Sequence, residues 1–249
     1  MRLRRPRLLR AASATWGRPG PSRARWRVVG RFRRSRRGSW LDGSDASIEP
    51  LSGAEPEAIT FAQMGADVTA VDIAPSHLVT ARSKAAEVGV TVEFLEQNMM
   101  ALDPELTGFD LIYISWGGIC WVPDLDAWAQ SLAGRLNPGG MLMISEHHPL
   151  WEVLTSQPDG SLTVGADYFT PARDGYPDPL KAPVVTRKIG VPETMPLSYV
   201  WNLGEVVSAV LNAGLTVRSL QEFPDEQNYP GLGVHATHLP ATYLLTAAR

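Results

Sequence analysis

Residues 66–76, ADVTAVDIAPS, decide the fold. Between Asp67 and Asp72 the chain carries only small, apolar or β-branched side chains, which reads as a buried strand ending on a carboxylate. Pro75 follows at once and pre-sets the first turn of a helix over 75–87, with Ser76 as its expected cap and Gly89 as its stop. A strand that runs directly into a helix is the unit of a parallel sheet, whose strands must be joined by crossovers. Working outward, residues 57–64 read as a short preceding helix and 90–95 as the next strand. Residues 109–115 (FDLIYIS) read as a strand of the fully buried kind, 125–136 as a helix, 137–140 (NPGG) as a turn and 141–146 as a strand. The alternation predicts an α/β domain built on a parallel sheet wound on both faces.

Upstream the pattern fails. The first strand should lie near position 50, but 44–51 (SDASIEPL) is a poor strand. Residues 1–40 are dominated by Arg, Gly, Pro, Ser, Ala and Trp and show neither strand alternation nor a helical apolar stripe, so no stable structure is expected there. Of the 23 basic residues, 14 lie in the first 37 positions, all of them Arg. Such a segment fits a transit-type leader, a nucleic-acid arm or a start read in the wrong frame. We therefore divide the chain into an Arg-rich, disordered or non-native segment at 1–45 and a domain at 46–249.

All 26 acidic residues follow position 41, so the remainder, with nine basic residues, carries a net charge of −17. Its own field disfavours a polyanionic partner, and any nucleic-acid affinity belongs to the N-terminal segment. No apolar run approaches the ~20 residues of a membrane span. A single cysteine, Cys120, cannot form an intramolecular disulfide, which makes a cytoplasmic setting the simplest expectation. Cys120 lies in the apolar stretch ICW and is read as packing rather than as a nucleophile.

Ligands of such sheets bind beyond the carboxyl ends of the strands, which singles out Asp72, Asn98, residues 115–118 and residues 146–149. An acid at the end of the second strand can accept hydrogen bonds from two ribose hydroxyls. The alternative role for Asp72 is a helix-entry residue ahead of Pro75.

Taken together, ADVTAVDIAPS (66–76), FDLIYI (109–114) and LNPGGML (136–142) resemble class I S-adenosylmethionine-dependent methyltransferases in order and spacing. GGICW (117–121), DLDAW (124–128), His148-Pro149 and WNLGE (201–205) are similar to a bacterial small-molecule subgroup. The resemblance implies a Rossmann-like, doubly wound, mixed seven-stranded sheet with helices on both faces. It also implies S-adenosylmethionine as cofactor and a small-molecule methyl acceptor with an oxygen or nitrogen nucleophile. By this resemblance Gly53, Asp72, Ile73, Asn98, Met99 and Ser115 would hold the cofactor. The chain departs from the family in the first glycine-rich motif, where LSGAEP (51–56) retains Gly53 but neither the strand nor the acid that normally precedes it. It departs again at Asn98, where Asp is usual; an amide oxygen can still accept a hydrogen bond.

Seven prolines between Trp151 and Tyr199 and a turn at Asp159-Gly160 predict a substrate-covering insertion of loops and short strands over about 150–200. The helix at 203–212 stops at Gly214, and 215–223 and 242–247 read as the last two strands, which resemble the closing antiparallel pair of the family. Trp116, Trp151, Tyr168 and Trp201 are the candidate walls of the acceptor site, although several of the aromatics must be core. His148 is the candidate base, because it follows a strand on the ligand side and titrates near neutrality; its other role is a cap ahead of Pro149. His147 is a weaker choice. His235 and His238 lack a third ligand, so no metal is expected.

Two further functions compete with the methyltransferase: a catalytically inactive, methyltransferase-like binding protein or mis-started gene product, and a nicotinamide-dependent oxidoreductase. The last is disfavoured because no G-x-G-x-x-G precedes the acid-bearing strand.

Overall fold

The computed structural model describes residues 27–31, 56–114, 117–165, 167–169, 176–177, 197–226, 229 and 231–249. Within them the chain runs β1 (Arg27–Arg31), α1 (Pro56–Gln63), β2 (Asp67–Asp72), α2 (Pro75–Glu87), β3 (Glu93–Glu96), β4 (Phe109–Ile114), α3 (Leu125–Arg135) and β5 (Leu136–His147). There follow α4 (Pro149–Val153), β6 (Leu154–Ser156), β7 (Leu162–Val164), β8 (Tyr176–Pro177), β9 (Leu197–Ser198), α5 (Leu203–Asn212), β10 (Thr216–Phe223) and β11 (Thr242–Ala248). One seven-stranded sheet has the order β10-β11-β5-β4-β1-β2-β3. β2 pairs parallel to β3 and β4 parallel to β5. Because β1 is antiparallel to both β2 and β4, those two also point the same way. β11 runs antiparallel to β5 and β10, so β10 and β11 form the closing antiparallel pair that the resemblance implies.

Side-chain alternation along the buried strands sorts the core into two layers. On one face Val71, Ile112, Ile114 and Leu142 pack with Trp128 and Leu132 of α3 and with Val206 and Val210 of α5. On the other, Val68, Ala70, Leu111 and Tyr113 pack with Ile59 of α1 and with Leu78 and Ala81 of α2. The sheet is therefore covered on both sides, which is why its central strands read as apolar runs rather than as alternations. A fully buried Ile112 or Leu142 contributes about 1.5–3 kcal/mol by leaving water.

The NPGG stretch is not a simple turn, as its composition led us to expect, but the bulged start of β5. Gly139 has φ +77° and the register shifts between Phe109 and Leu111. A Cβ on Gly140 would lie 2.9 Å from the carbonyl oxygens of both Asn137 and Phe109, so only glycine fits. The Asn137 amide donates to Gly108 O and Asp110 Oδ1, and Arg249 N donates to Gly140 O, which ties β4, β5 and the C-terminus together.

Three expectations are corrected. The N-terminal segment is not without structure: Arg27–Arg31 fills the sheet between β2 and β4, the place expected for a strand near position 50, and runs opposite to both neighbours. Strand β3 begins at Glu93 rather than at position 90. Ser76 does not cap α2; the N-cap is Ala74, with no side-chain cap, and Pro75 sets the first turn. The Asp159-Gly160 turn joins β6 to β7, with Gly160 at φ +82°. Among the described residues no helix is long and apolar enough to cross a membrane.

Candidate active site

Because β2, β3, β4 and β5 run the same way, their carboxyl ends line one edge of the sheet. Asp72 closes β2, Asn98 lies two residues beyond β3, the loop at 117–121 follows β4, and His147 closes β5. β1 separates β2 from β4, so Val71 and Ile114, both paired with Arg27, stand two strand spacings apart, roughly 10 Å.

Asp72 is only 5% exposed. Its Oδ1 accepts from the Ala74 amide at 2.7 Å, which fixes the carboxylate at the entrance to α2, and His77 Nδ1 lies 3.5 Å from the same oxygen. This makes Asp72 a helix-entry residue, one of its two expected roles, and it still fits the other because Oδ2 remains for a ligand hydroxyl. Next to it Ile73 is 61% exposed, an apolar side chain held in solvent at the edge of the crevice. Asn98 Oδ1 accepts from the Met100 amide, so its acceptor is already engaged in the chain's own turn. Met99 does not face the crevice: its side chain packs in the main core cluster, leaving only backbone to meet a ligand.

On the β5 side His148, the expected base, takes the other role foreseen for it, a cap ahead of Pro149. His148 is 3% exposed; Nδ1 accepts from the Leu150 amide at 3.1 Å as the N-cap of α4, and Nε2 contacts Glu222 Oε1 at 2.8 Å. Burial, only partly countered by Glu222, lowers its pKa below the usual imidazole value. With both ring nitrogens engaged, it has no lone pair to take a substrate proton. His147 stacks on Trp151, ring centroids 4.4 Å apart.

The candidate acceptor residues separate. Trp151 packs on a small cluster with Tyr229 and Leu232, whereas Trp201 packs on the main core and donates from Nε1 to Val122 O at 2.8 Å. Tyr168 meets Phe169 edge-on and influences Tyr243. Burial foremost, then Glu146 and Tyr168, push the Tyr243 phenol well above its usual pKa, so it stays protonated. Gly53, Ser115 and Trp116 lie outside the described residues. His235 and His238 are exposed, their rings 5.7 Å apart; among the described residues no group of three His, Cys, Asp or Glu could hold a metal ion.

Sequence reasoning passed over one residue at this edge: His77 lies in the first turn of α2 and carries no sequence signal of its own. Glu146 stood in the singled-out span 146–149 but was given no role, although it shares the buried phase of β5 with Leu142 and Ile144, which turns its carboxylate inward.

Residues 53–140 match the family model described as a methyltransferase domain. A ubiquinone biosynthesis O-methyltransferase of Xanthomonas axonopodis pv. citri is 37% identical over 87 residues, covering 34% of this chain and 36% of that protein. An uncharacterized protein of Mycobacterium tuberculosis is 30% identical over 95 residues, 38% of this chain and 34% of its own length. The chain thus matches these relatives over about a third of their length. The crystal structure of an S-adenosylmethionine-dependent methyltransferase from Mesorhizobium loti superposes with a TM-score of 0.52 at 20% identity, covering 72% of this chain and 78% of that one. The fold is shared, and the family resemblance read from the sequence is borne out.

Proposed function

We propose that this chain, a class I methyltransferase by its recognised segment and its fold, transfers the methyl group of S-adenosylmethionine to an oxygen or nitrogen nucleophile of a small molecule. The observation that carries the reading is Asp72, a buried carboxylate anchored through Oδ1 at the end of a parallel strand. Asp72 would accept ribose hydroxyls through Oδ2, and exposed Ile73 would give an apolar face to the adenine. When bound, the sulfonium supplies the electrophilic carbon for an in-line displacement. The chain's own task is then to hold the acceptor in line and keep water out. With both nitrogens of His148 occupied, the reading rests on alignment rather than on a histidine base. The ubiquinone-pathway relative favours an oxygen nucleophile. A single cysteine fits a cytoplasmic setting, and the boundary near position 45 still separates the acidic domain from the Arg-rich segment, apart from the strand contributed by β1.

One observation favours a second reading, a catalytically inactive, methyltransferase-like binding protein or mis-started gene product that lacks the complete cofactor loop and so does not hold S-adenosylmethionine. β1 is reversed, so Arg27, rather than a chain end leading to Gly53, stands at the crevice edge opposite Val71 and Ile114. Isothermal titration with S-adenosylmethionine separates the two. Micromolar binding supports the enzyme; no binding at millimolar cofactor supports the second reading.

A further inference from the structure

Resting on the reading above, we propose that Glu146 is a positioning residue that holds residues 117–121 against the end of β5 and thereby shapes the cofactor crevice on the side opposite Asp72. Glu146 is 6% exposed, yet its carboxylate accepts three backbone N–H groups: Gly117 at 2.5 Å and His147 at 2.8 Å on Oε1, and Ile119 at 3.0 Å on Oε2. Two of the three belong to a loop 27 and 29 residues away in sequence. A buried carboxylate is tolerated when such donors replace its water, and charge-assisted bonds of this kind are the strong ones.

The loop is gripped from the other side as well. Tyr199 N donates to Cys120 O at 2.8 Å, and Trp201 Nε1 donates to Val122 O. Inside it, Gly117 at φ +74° takes the left-handed turn that aims its N–H at Glu146, and Cys120 Sγ contacts Gly117 O at 3.2 Å. Glu146 therefore sets the height of residues 117–121 over the sheet edge, opposite Asp72 across the β1 slot. A glutamine has the same shape but only one acceptor atom. Its NH2 group would face either the Gly117 or the Ile119 N–H, so E146Q should release one end of the loop while filling the same volume.

Cys120 is the only cysteine in the chain and lies within the loop, so its alkylation rate reports loop release at one site. In E146Q we expect maleimide labelling of Cys120, and amide exchange at Gly117 and Ile119, to quicken roughly tenfold or more, the factor set by losing a charge-assisted bond. The dissociation constant for S-adenosylhomocysteine should rise by a similar factor while the far-UV circular dichroism stays unchanged. E146D, which keeps the charge, should fall between; if E146Q does not fold, E146D against wild type carries the same comparison. Unchanged labelling and exchange overturn the proposal. Faster labelling with unaltered S-adenosylhomocysteine affinity overturns it too, since the loop would then move without consequence for the crevice. A wild-type protein that fails to bind S-adenosylhomocysteine overturns the methyltransferase reading instead, and labelling alone then judges whether Glu146 holds the loop.

Discussion

His148 and Glu222 face each other at 2.8 Å, a buried imidazole at the end of β5 against a half-exposed carboxylate on β10, while the opposite ring nitrogen caps α4. The pair closes the sheet edge where β5, α4 and β10 meet, and both ring nitrogens of His148 are engaged within the fold.

His148→Asn is therefore expected to keep the α4 cap, since Asn is among the best N-cap residues, and to lose only the contact with Glu222. Burial lowers the folded pKa of His148, so between that value and the unfolded value of about 6.5 the unfolded chain binds more protons than the native one. The contribution of this group is fully present above the unfolded pKa and is lost as pH falls from there toward the folded pKa. Melting temperature followed from pH 7.5 to 5 should fall more in wild type than in H148N, and cofactor affinity at pH 7.5 should match. A loss of turnover of roughly a hundredfold or more with the fold intact would restore the histidine as a base.

Asp72→Ala should weaken S-adenosylhomocysteine binding by on the order of 1–3 kcal/mol, the range for losing hydrogen bonds to a charged group. Asp72→Asn keeps an oxygen for the Ala74 amide and should recover part of it. Calorimetric titration of the two variants reads this directly, and an unchanged dissociation constant in both would remove Asp72 from the crevice.

Deleting residues 1–40 should lower the melting temperature markedly, because it takes out β1 and opens the pairing edges of both β2 and β4 in the middle of the sheet. A segment of this composition would by itself be expected to be dispensable. Thermal unfolding of the truncated chain decides: an unaltered midpoint would show that β1 adds nothing to the folded state.

Gly140→Ala forces a methyl group to within 2.9 Å of two backbone oxygens that cannot step aside without disturbing both β4 and β5. We expect a loss of about 1–3 kcal/mol in urea unfolding, the usual cost of overpacking. Gly134→Ala, a helical position with open space around it, should be neutral or slightly stabilising and serves as the control.

The parallel core was legible because its signals are local. An apolar run between Asp67 and Asp72 can satisfy its backbone only in a sheet covered on both faces, and Pro75 fixes where the helix starts. The bounds of β2, α2 and α5 follow directly from such signals. What the sequence hid depends on partners distant along the chain. Nothing in RVVGR announces a central strand; Val28 and Val29 are placed by β2 and β4, not by their own neighbours. His148 looked like a base because its proximity to Glu222, 74 positions later, has no local trace. Asp72 was legible both as a position and as a helix-entry residue, a role that its bond to the Ala74 amide fills, whereas Ser76 suggested a cap that the helix does not use.

The place of β1 also inverts the order of synthesis. Val29 leaves the ribosome before either of its pairing partners, Thr69 and Ile112, has been made. At ~10 residues per second it waits several seconds with the surrounding arginines in the open. β1 can pair with β2 early but gains its second partner only when β4 is complete, so its final seating competes with every polyanion the nascent chain meets, ribosomal RNA included. High salt or a polyanion scavenger during refolding should then hasten the last step of assembly, while the rest of the sheet, built from crossovers between near neighbours, would not notice.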